Sequence, residues 1–308
     1  MQTTTSRKAK KSTTRDHYQE ITDKVIAALI TGVIPWQTPN STDGGLAYNY
    51  VSGKEYRGIN FFLLNFMRPH ANGAYLTFNQ ARKLGGKVRK GARSQKVYFF
   101  KVMYRDTNGK PLTDVKAREL MDRGVKVKGT PFMKTSPVFN VEDVEGIEFD
   151  LPQAQTFEHN PVKAADDFVA GILQGPQIRT SATRGNFYRP LTDEIVMYPR
   201  NRYKTVEAYY QTLFHELTHA TGHGDRLNRE GITGEIKAGS AKYAREELTA
   251  EMGAAFLCSK MGIEPDIDNT AAYIANWLQA LKNDKLLVYK AAAQAQQAVD
   301  YLTGGPHR

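Results

Sequence analysis

The sequence predicts an α+β protein in which a mixed α/β N-terminal domain precedes a mostly helical domain with a small sheet. Three observations support this fold class. The 308 residues suit about two domains of ordinary size. Residues 1–150 carry 25 Lys and Arg against 14 Asp and Glu, whereas residues 151–308 carry 17 against 18. From Thr205 onward, apolar residues recur at helical spacing, whereas strand-like runs come before it.

The composition is that of a folded globular protein, with 41% apolar and 24% charged residues. The apolar runs are too short to span a bilayer, which excludes a transmembrane protein. The basic N-terminus lacks the apolar core of a secretory signal. Cys258 is the single cysteine, so the chain has no internal disulfide and no cysteine-based zinc cage. We therefore expect a cytoplasmic protein without a membrane partner.

The N-terminal domain is predicted to span residues 16–145, after a flexible basic tail over residues 1–15. Its first helix is predicted over residues 16–33, where Ile21 and Val25 recur four residues apart. The elements that follow are a loop over 40–58, an apolar helix or buried strand over 59–66, a short strand over 75–78 leading into a helix, a strand over 97–103, an irregular segment over 106–135 with a short helix near 116–123, and a strand over 137–141.

The second domain is predicted over residues 161–308, after an acidic, proline-containing linker over residues 146–160. Its predicted elements are a helix over 161–174, strands over 186–198 broken by a turn, and helices over 205–223, 240–262, 269–283 and 285–302. We expect the segment from Glu194 to Tyr198 to be an edge strand that can pair with an extended peptide.

The most specific motif is His-Glu-Leu-Thr-His at residues 215–219. His215 and His219 are four residues apart on a predicted helix, so both imidazoles project from one face toward one metal ion. Glu216 is positioned to take a proton from an attacking water and to pass it to a leaving amine. The motif predicts a metal-dependent peptidase site that holds Zn²⁺ or another divalent ion such as Mn²⁺.

The third metal ligand has more than one candidate. Glu247 and Glu251 lie four residues apart on the next predicted helix, with the small Ala250 between them. This is the spacing at which thermolysin-type peptidases carry a ligand and a carboxylate that orients a ligand histidine. We favour Glu247 as the ligand and Glu251 as the orienting group over the reverse assignment. Asp225, which occupies the position of the third histidine in metzincin peptidases, is a weaker alternative.

Several neighbours of the motif are weaker candidates. His223 is interpreted as a helix cap or as a group that supports a ligand. Arg226 and Arg229 are predicted to lie on the rim of the site and to hold acidic groups. Packing alone explains each tyrosine of this region, but a tyrosine hydroxyl could also stabilise an oxyanion. These tyrosines are Tyr188, Tyr209, Tyr210 and Tyr243.

Residues 51–105 contain 12 basic residues and a single acidic one, interleaved with aromatic residues. Single-stranded nucleic acid is bound by this combination, with cations along the phosphates and aromatic faces under the bases. The competing interpretations are an acidic protein partner, or a solvated basic face over a core that includes Phe62 and Phe99. The predicted DNA-binding residues of this stretch are Tyr56, Arg57, Arg82, Lys83, Lys87, Arg89, Lys90, Arg93 and Lys96.

Both halves contain motifs of one known family. In the first half these are Val-Ile-Pro-Trp (33–36), Tyr-Arg-Gly-Ile-Asn (56–60), the run over 75–91 and Phe-Asn-Val-Glu-Asp (139–143); in the second they lie at 215–223, 243–251 and 271–278. The chain resembles the ArdC-type plasmid antirestriction proteins over nearly its whole length. Related regions occur in some conjugation-linked primases. The resemblance adds Trp36 and Asn60 to the expected DNA-binding residues.

The resemblance implies an N-terminal domain that binds single-stranded DNA and a C-terminal zincin-like metallopeptidase domain. It also implies protection of incoming plasmid DNA from host restriction during conjugation, with a host restriction-modification subunit as the conceivable protein substrate. Two other hypotheses remain open. One is a DNA-binding shield whose metal is structural or vestigial. The other is a replication or primase accessory protein, although the sequence offers no acidic metal triad for nucleotidyl transfer.

Overall fold

A computed structural model describes residues 16–37, 44–67, 70, 72–151, 161–234, 240–264 and 271–305. The predicted tail over 1–15 and residues 152–160 of the predicted linker lie outside the described residues. The α+β class predicted from the sequence is confirmed. In the described ranges, no helix combines the length and the apolar character needed to cross a membrane.

The first half folds around a five-stranded sheet with the strand order β1-β2-β6-β4-β5. β1 runs parallel to β2, and the other neighbours are antiparallel. β3 and β7 pair separately. The elements are α1 (His17–Ile30), β1 (Gly44–Asn49), α2 (Ile59–Phe66), β2 (Asn72–Leu76), α3 (Phe78–Lys83), β3 (Lys87–Val88), β4 (Gln95–Arg105), β5 (Pro111–Leu112), α4 (Asp114–Asp122), β6 (Lys128–Asn140) and β7 (Val144–Glu145).

Local side-chain chemistry sets the start of these helices. At the start of α1 the Asp16 carboxylate accepts from the backbone N–H groups of Tyr18 and Gln19. α3 begins with a capping box in which Thr77 and Gln80 each accept from the other's backbone N–H group. The sequence of residues 59–66 is compatible with a helix or with a buried strand, and the structure has a helix there.

The long ribbon of β4 and β6 corrects two expectations. The segment over 106–135 is not largely irregular, because α4 and the first eight residues of β6 lie within it. Phe99 is not a core residue: Phe99 and Phe100 are 44% and 56% exposed. Consecutive strand residues point to opposite faces, so solvent reaches both faces of the ribbon at this point.

The second half is mostly helical, with a three-stranded sheet. Its elements are α5 (Pro161–Ala170), β8 (Gln177–Thr180), β9 (Phe187–Arg189), β10 (Glu194–Met197), α6 (Val206–Ala220), α7 (Glu230–Thr233), α8 (Ala241–Met261), α9 (Ala271–Asn283) and α10 (Leu287–Leu302). Thr205 caps α6 and Ser240 caps α8, each by accepting a backbone N–H bond. α8 ends at Gly262, whose φ of 69° suits a residue without a Cβ.

The prediction that Glu194–Tyr198 is an edge strand is wrong. The strand order is β8-β10-β9, so β10 lies between a parallel and an antiparallel neighbour. All four residues of β10 are buried. The sequence pattern does not reveal β8, which covers the other edge of β10. Among the described strands, β8 and β9 are therefore the edges of this sheet, and β9 lies next to α6.

The two halves share one apolar core rather than meeting only through a linker. Trp36 packs edge-to-face on Trp277 of α9 with ring centroids 5.0 Å apart. Phe61 of α2 packs on Phe256 of α8 at 4.6 Å. Polar contacts accompany this packing, since the Gly58 backbone N–H donates to Gln296 of α10 at 3.0 Å. α8 and α10 thus bury apolar surface against elements from the first half.

Candidate metal centre and basic surface

The close approach of α6 and α8 brings the predicted metal ligands together. Gly253 of α8 faces Thr218 of α6, and a Cβ on Gly253 would lie 2.5 Å from the Thr218 side chain. Glycine at this position therefore lets the two helix backbones approach. His215 and His219 lie one turn apart on α6, and Glu247 lies on α8.

Three side chains form a compact donor set. His215 Nε2 and His219 Nε2 are 3.1 Å apart, and the Glu247 carboxylate oxygens lie 3.7 Å from His215 Nε2 and 3.6 Å from His219 Nε2. Ligands placed tetrahedrally at about 2.05 Å from a zinc ion stand about 3.3 Å apart. Two imidazole nitrogens and a carboxylate oxygen at these separations fit Zn²⁺ or Mn²⁺.

A second carboxylate holds each imidazole through its other nitrogen. Glu251 lies 3.4 Å from His215 Nδ1, which is the contact that its predicted orienting role requires. Glu246 lies 3.2 Å from His219 Nδ1, a contact that the sequence analysis missed. Carboxylates that bind the outer nitrogen of a histidine fix its ring and keep the inner nitrogen available to a metal ion.

Arg229 fixes Glu246 from the opposite side. Both side chains are buried, and Arg229 donates to the two carboxylate oxygens of Glu246 at 2.6 and 3.1 Å. Its remaining donors reach the Thr221 hydroxyl and the Thr218 carbonyl. Arg229 thus holds an acidic group as expected, but from the interior rather than from the rim.

The cluster strongly favours a cation. Burial lowers the pKa of His215, but the hydrogen bond with Glu251 and the charges of the nearby carboxylates outweigh burial and raise the pKa to about 10. Burial raises the pKa of Glu246, but its hydrogen bonds with His219 and Arg229 outweigh burial and lower the pKa to about 2. An excess of carboxylates around two imidazoles attracts either protons or a divalent ion.

Glu216 is buried in α6 at 7% exposure. Its charge acts on the adjacent His215 and contributes to the raised pKa of Tyr203, for which burial is the main cause. Glu216 is therefore a buried carboxylate next to a candidate metal ligand, and its role as general base stays a prediction.

A cleft of about 340 Å³ opens beside these residues. His219, Glu246 and Glu247 line one side of it, and Tyr188 and Pro190, at the end of β9, line another. The cleft therefore lies between the candidate metal centre and β9.

The other candidates near the motif have different positions. Asp225 is 93% exposed on its side chain and contacts His223, and neither residue belongs to the donor set. Arg226 is buried and pairs with Asp193, again inside the protein rather than on the rim.

The four tyrosines divide into two pairs. Tyr188 and Tyr243 line the cleft, and the Tyr188 hydroxyl donates to Asp193 at 2.8 Å. Tyr209 and Tyr210 pack edge-to-face on each other, with the Arg200 guanidinium over both rings. Packing therefore accounts for the second pair.

Most of the predicted DNA-binding cations project into solvent. The exposed ones are Arg57, Arg82, Lys83, Lys87, Arg89, Lys90 and Arg93. Arg57 pairs with Asp300 of α10, and Arg89 lies 3.3 Å from Glu145. Lys96 is partly buried in an ion pair with Glu20 at 2.8 Å, so its charge is already neutralised.

Two predicted DNA-binding residues are buried, which contradicts their assignment. Trp36 is 1% exposed in the shared core. Asn60 is 8% exposed, and its amide group exchanges two hydrogen bonds with the backbone of Tyr98 at 2.7 and 2.8 Å. Tyr56 is half-buried against Tyr75. A sequence pattern cannot distinguish an aromatic base contact from an aromatic core residue.

Two family models match successive segments of the chain. Residues 15–139 match the N-terminal domain of the anti-restriction factor ArdC, and residues 163–294 match a zincin-like metallopeptidase family. Two crystal structures of the antirestriction protein ArdC from plasmid R388 are similar over 94% of this chain. The metal-free form has a TM-score of 0.71 and the Mn(II)-bound form 0.73, each at 33% identity and with 97% and 98% of that chain covered.

This chain belongs to the ArdC antirestriction family. The uncharacterized protein y4eC of Sinorhizobium fredii is 33% identical to it over 94% of this chain and 92% of its own length. Two Escherichia coli proteins named DNA primase TraC are 32% identical over 92% of this chain, which spans only 20% and 27% of their lengths. The family resemblance noted in the sequence is confirmed.

Proposed function

We propose that this ArdC-family protein is a metal-dependent peptidase held on single-stranded DNA by its basic surface. In this proposal it protects incoming plasmid DNA in the cytoplasm during conjugation, and its protein substrate is a subunit of the host restriction-modification system. The single observation that carries the proposal is the arrangement of the two histidines. Their Nδ1 atoms face Glu251 and Glu246, and their Nε2 atoms face each other and Glu247.

The side chains would divide the peptidase chemistry between them. His215, His219 and Glu247 would hold a divalent ion, which supplies Lewis acidity toward the peptide carbonyl when bound. Glu216 accepts a proton from the attacking water and returns it to the leaving amine. The edge of β9 aligns an extended peptide through backbone hydrogen bonds.

The DNA-binding part of the proposal rests on exposed charge. In the described ranges, the cations without an ion-pair partner include Arg82, Lys83, Lys87, Lys90 and Arg93. Such cations bind phosphates at the cost of little desolvation and release counterions from the DNA. Phe99 and Phe100 on the β4–β6 ribbon, next to Lys101 and Lys134, supply exposed aromatic faces on which bases can stack.

The decisive experiment replaces Glu216 by Gln. Loss of the general base should slow peptide hydrolysis by about 10²–10⁴-fold. The rate is measured on a decapeptide library with the Zn²⁺- or Mn²⁺-loaded protein. Metal content should stay at the wild-type value. Glu207→Gln, on the first turn of the same helix, is the matched control and should retain activity.

The same variants also distinguish a peptidase from a protein that protects DNA without proteolysis. Plasmid transfer into a restricting host should fall with Glu216→Gln to the level seen without the protein. Unchanged protection by Glu216→Gln would mean that the protein shields DNA without proteolysis. A metal-loaded wild type that cleaves no library peptide and no restriction subunit would contradict the peptidase.

A further inference from the structure

A second cavity, of about 230 Å³, adjoins the candidate metal centre. Tyr243 and Glu247 line both this cavity and the cleft beside His219. Its other walls come from α8, α9 and α10, including Arg245, Trp277 and Asp284. A substrate bound in the cleft can therefore extend a side chain past Glu247 into this second cavity.

Arg245 has an unsatisfied hydrogen-bond donor in the wall of this cavity. Its Nε is buried without a hydrogen-bond partner. The nearest carboxylate, that of Asp284, lies 3.8 Å from Nη2, too far for a hydrogen bond. A buried guanidinium N–H without an acceptor is unfavourable. The Arg245 side chain as a whole is 33% exposed, so a ligand in the cavity can reach the guanidinium.

The carboxylates near Arg245 have other partners. Asp284 accepts from the Leu286 backbone N–H at 2.8 Å and from Lys290 at 3.2 Å. Glu247 lies with the histidines of the donor set. Asp284 forms a long ion pair with Arg245, and the charge of Glu230 also interacts with it. No carboxylate among the described residues hydrogen-bonds the guanidinium, so an acidic ligand meets a cation whose N–H donors are not used by a carboxylate.

We infer that this cavity is a specificity pocket in which Arg245 binds an aspartate or glutamate side chain of the peptide substrate. The inference rests on the proposed peptidase function and adds a substrate class to it. A guanidinium matches a carboxylate with two parallel N–H···O bonds. An isosteric amide can accept fewer such bonds and carries no charge, so the pocket discriminates glutamate from glutamine.

The test uses the metal-loaded protein and a randomised decapeptide library prepared in two forms, one with amidated and one with free C-termini. Mass spectrometry of the products should show Asp and Glu enriched at one position near the cleaved bond. For a peptide chosen from those products, Arg245→Gln should lower kcat/KM by about 10–100-fold, the factor of a charge-assisted hydrogen bond. The same peptide with Gln in place of its acidic residue should be cleaved equally by both proteins.

Two further variants protect this test against a folding artefact. Arg245→Lys keeps the charge and should retain part of the acidic preference. Lys242→Gln removes a cation from the same helix outside the cavity and should leave the preference intact. Affinity of the chosen peptide for Glu216→Gln, measured by fluorescence anisotropy with and without Arg245→Gln, reports binding apart from turnover.

The outcomes separate this pocket from the peptidase itself. Cleavage without acidic enrichment, or enrichment that survives Arg245→Gln, overturns the pocket and leaves the peptidase standing. Cleavage restricted to peptides with a free C-terminus assigns Arg245 to the terminal carboxylate and overturns the side-chain assignment. A wild type that cleaves nothing contradicts the peptidase and the pocket with it.

Discussion

Charged side chains project into solvent over residues 82–93, whereas those of the candidate metal centre and its supporting residues are largely enclosed between helices. This second region consists of His215, Glu216, His219, Arg229, Glu246, Glu247 and Glu251. In the first region most cations are exposed and without ion-pair partners among the described residues. In the second, Glu246 and Arg229 are each about 95% buried and bonded to each other.

The two regions differ in how large an effect a single substitution should have. Exposed charges act additively through a screened field, so each contributes little and can be replaced by its neighbours. Buried charges depend on one specific partner, and removal of that partner leaves an uncompensated charge. Single substitutions should therefore have large effects in the second region and small effects in the first.

The largest effect should come from Glu246→Ala. Because Arg229 would remain buried without a counter-charge, the free energy of unfolding should fall by about 3–5 kcal/mol, measured by urea denaturation in the presence of a chelator. The matched exposed pair is Lys242 and Glu230, where Glu230→Ala should change stability by about 1 kcal/mol or less. Equal effects at the two pairs would remove the contrast between the regions.

Acid titration examines the same pair. The pKa of Glu246, about 2, lies below its ordinary value of 4.5, so its contribution is complete above pH 4.5 and is lost as the pH falls toward 2. In chelator, wild-type stability should decline more steeply over this range than that of Glu246→Ala. Parallel declines would show that Glu246 does not retain its charge in the folded protein.

Metal stabilisation distinguishes the histidines of the second region. At a free Zn²⁺ concentration of 100 times Kd, the wild type should gain about 2.7 kcal/mol, read as a rise in Tm. His215→Ala should lose this gain. His223→Ala should keep it, because His223 lies in the turn after α6 and contacts exposed Asp225. Loss of the metal-induced stabilisation in His223→Ala would show that His223 supports the metal site.

In the first region, several cations together should determine the affinity for DNA. Replacement of Lys87, Lys90 and Arg93 by Gln together should reduce the slope of log Kobs against log salt by about 2, since each phosphate contact on a single strand contributes about 0.7. Fluorescence anisotropy with labelled oligothymidine gives the slope. Lys163→Gln with Lys242→Gln, two exposed cations of the second half, should leave it unchanged.

The smallest expected effect on DNA binding is that of Trp36→Phe. This substitution should lower stability by about 1–3 kcal/mol because Trp36 packs on Trp277 in the shared core. It should leave affinity for single-stranded DNA unchanged, as measured on the same oligonucleotide. Loss of affinity without loss of stability would show that Trp36 contacts DNA after all.

Local spacing made parts of the site predictable. His215 and His219 were assigned from their separation on one helix, and Glu247 and Glu251 from theirs on another, because residues four apart share a helix face. The partnership of Glu246 with Arg229 was not predictable in this way. The two residues lie 17 positions apart, and Arg229 comes from a turn whose path depends on the packing of α6 and α8.

Burial in the first half shows the same limit. Trp36 and Asn60 were expected at the DNA and are enclosed, whereas Phe99 was expected in the core and is 44% exposed. Their residue types are compatible with either position. The outcome depends on helices that are distant in sequence. Trp277 of α9 packs on Trp36, whereas Tyr289 of α10 contacts Tyr98 and Phe100 of β4 and leaves Phe99 exposed.

The sequence alone establishes the α+β class, the excess of positive charge in the first half, and the helix that carries His215, Glu216 and His219. These features depend on composition and on spacing within a few residues. The tertiary structure decided that both halves share a core, that β9 rather than β10 is an edge strand, and that Glu246 and Arg245 adjoin the candidate metal centre. Each of these depends on which distant segments pack together. The residues near an apolar face or a charged side chain in the sequence do not specify which distant segment it contacts.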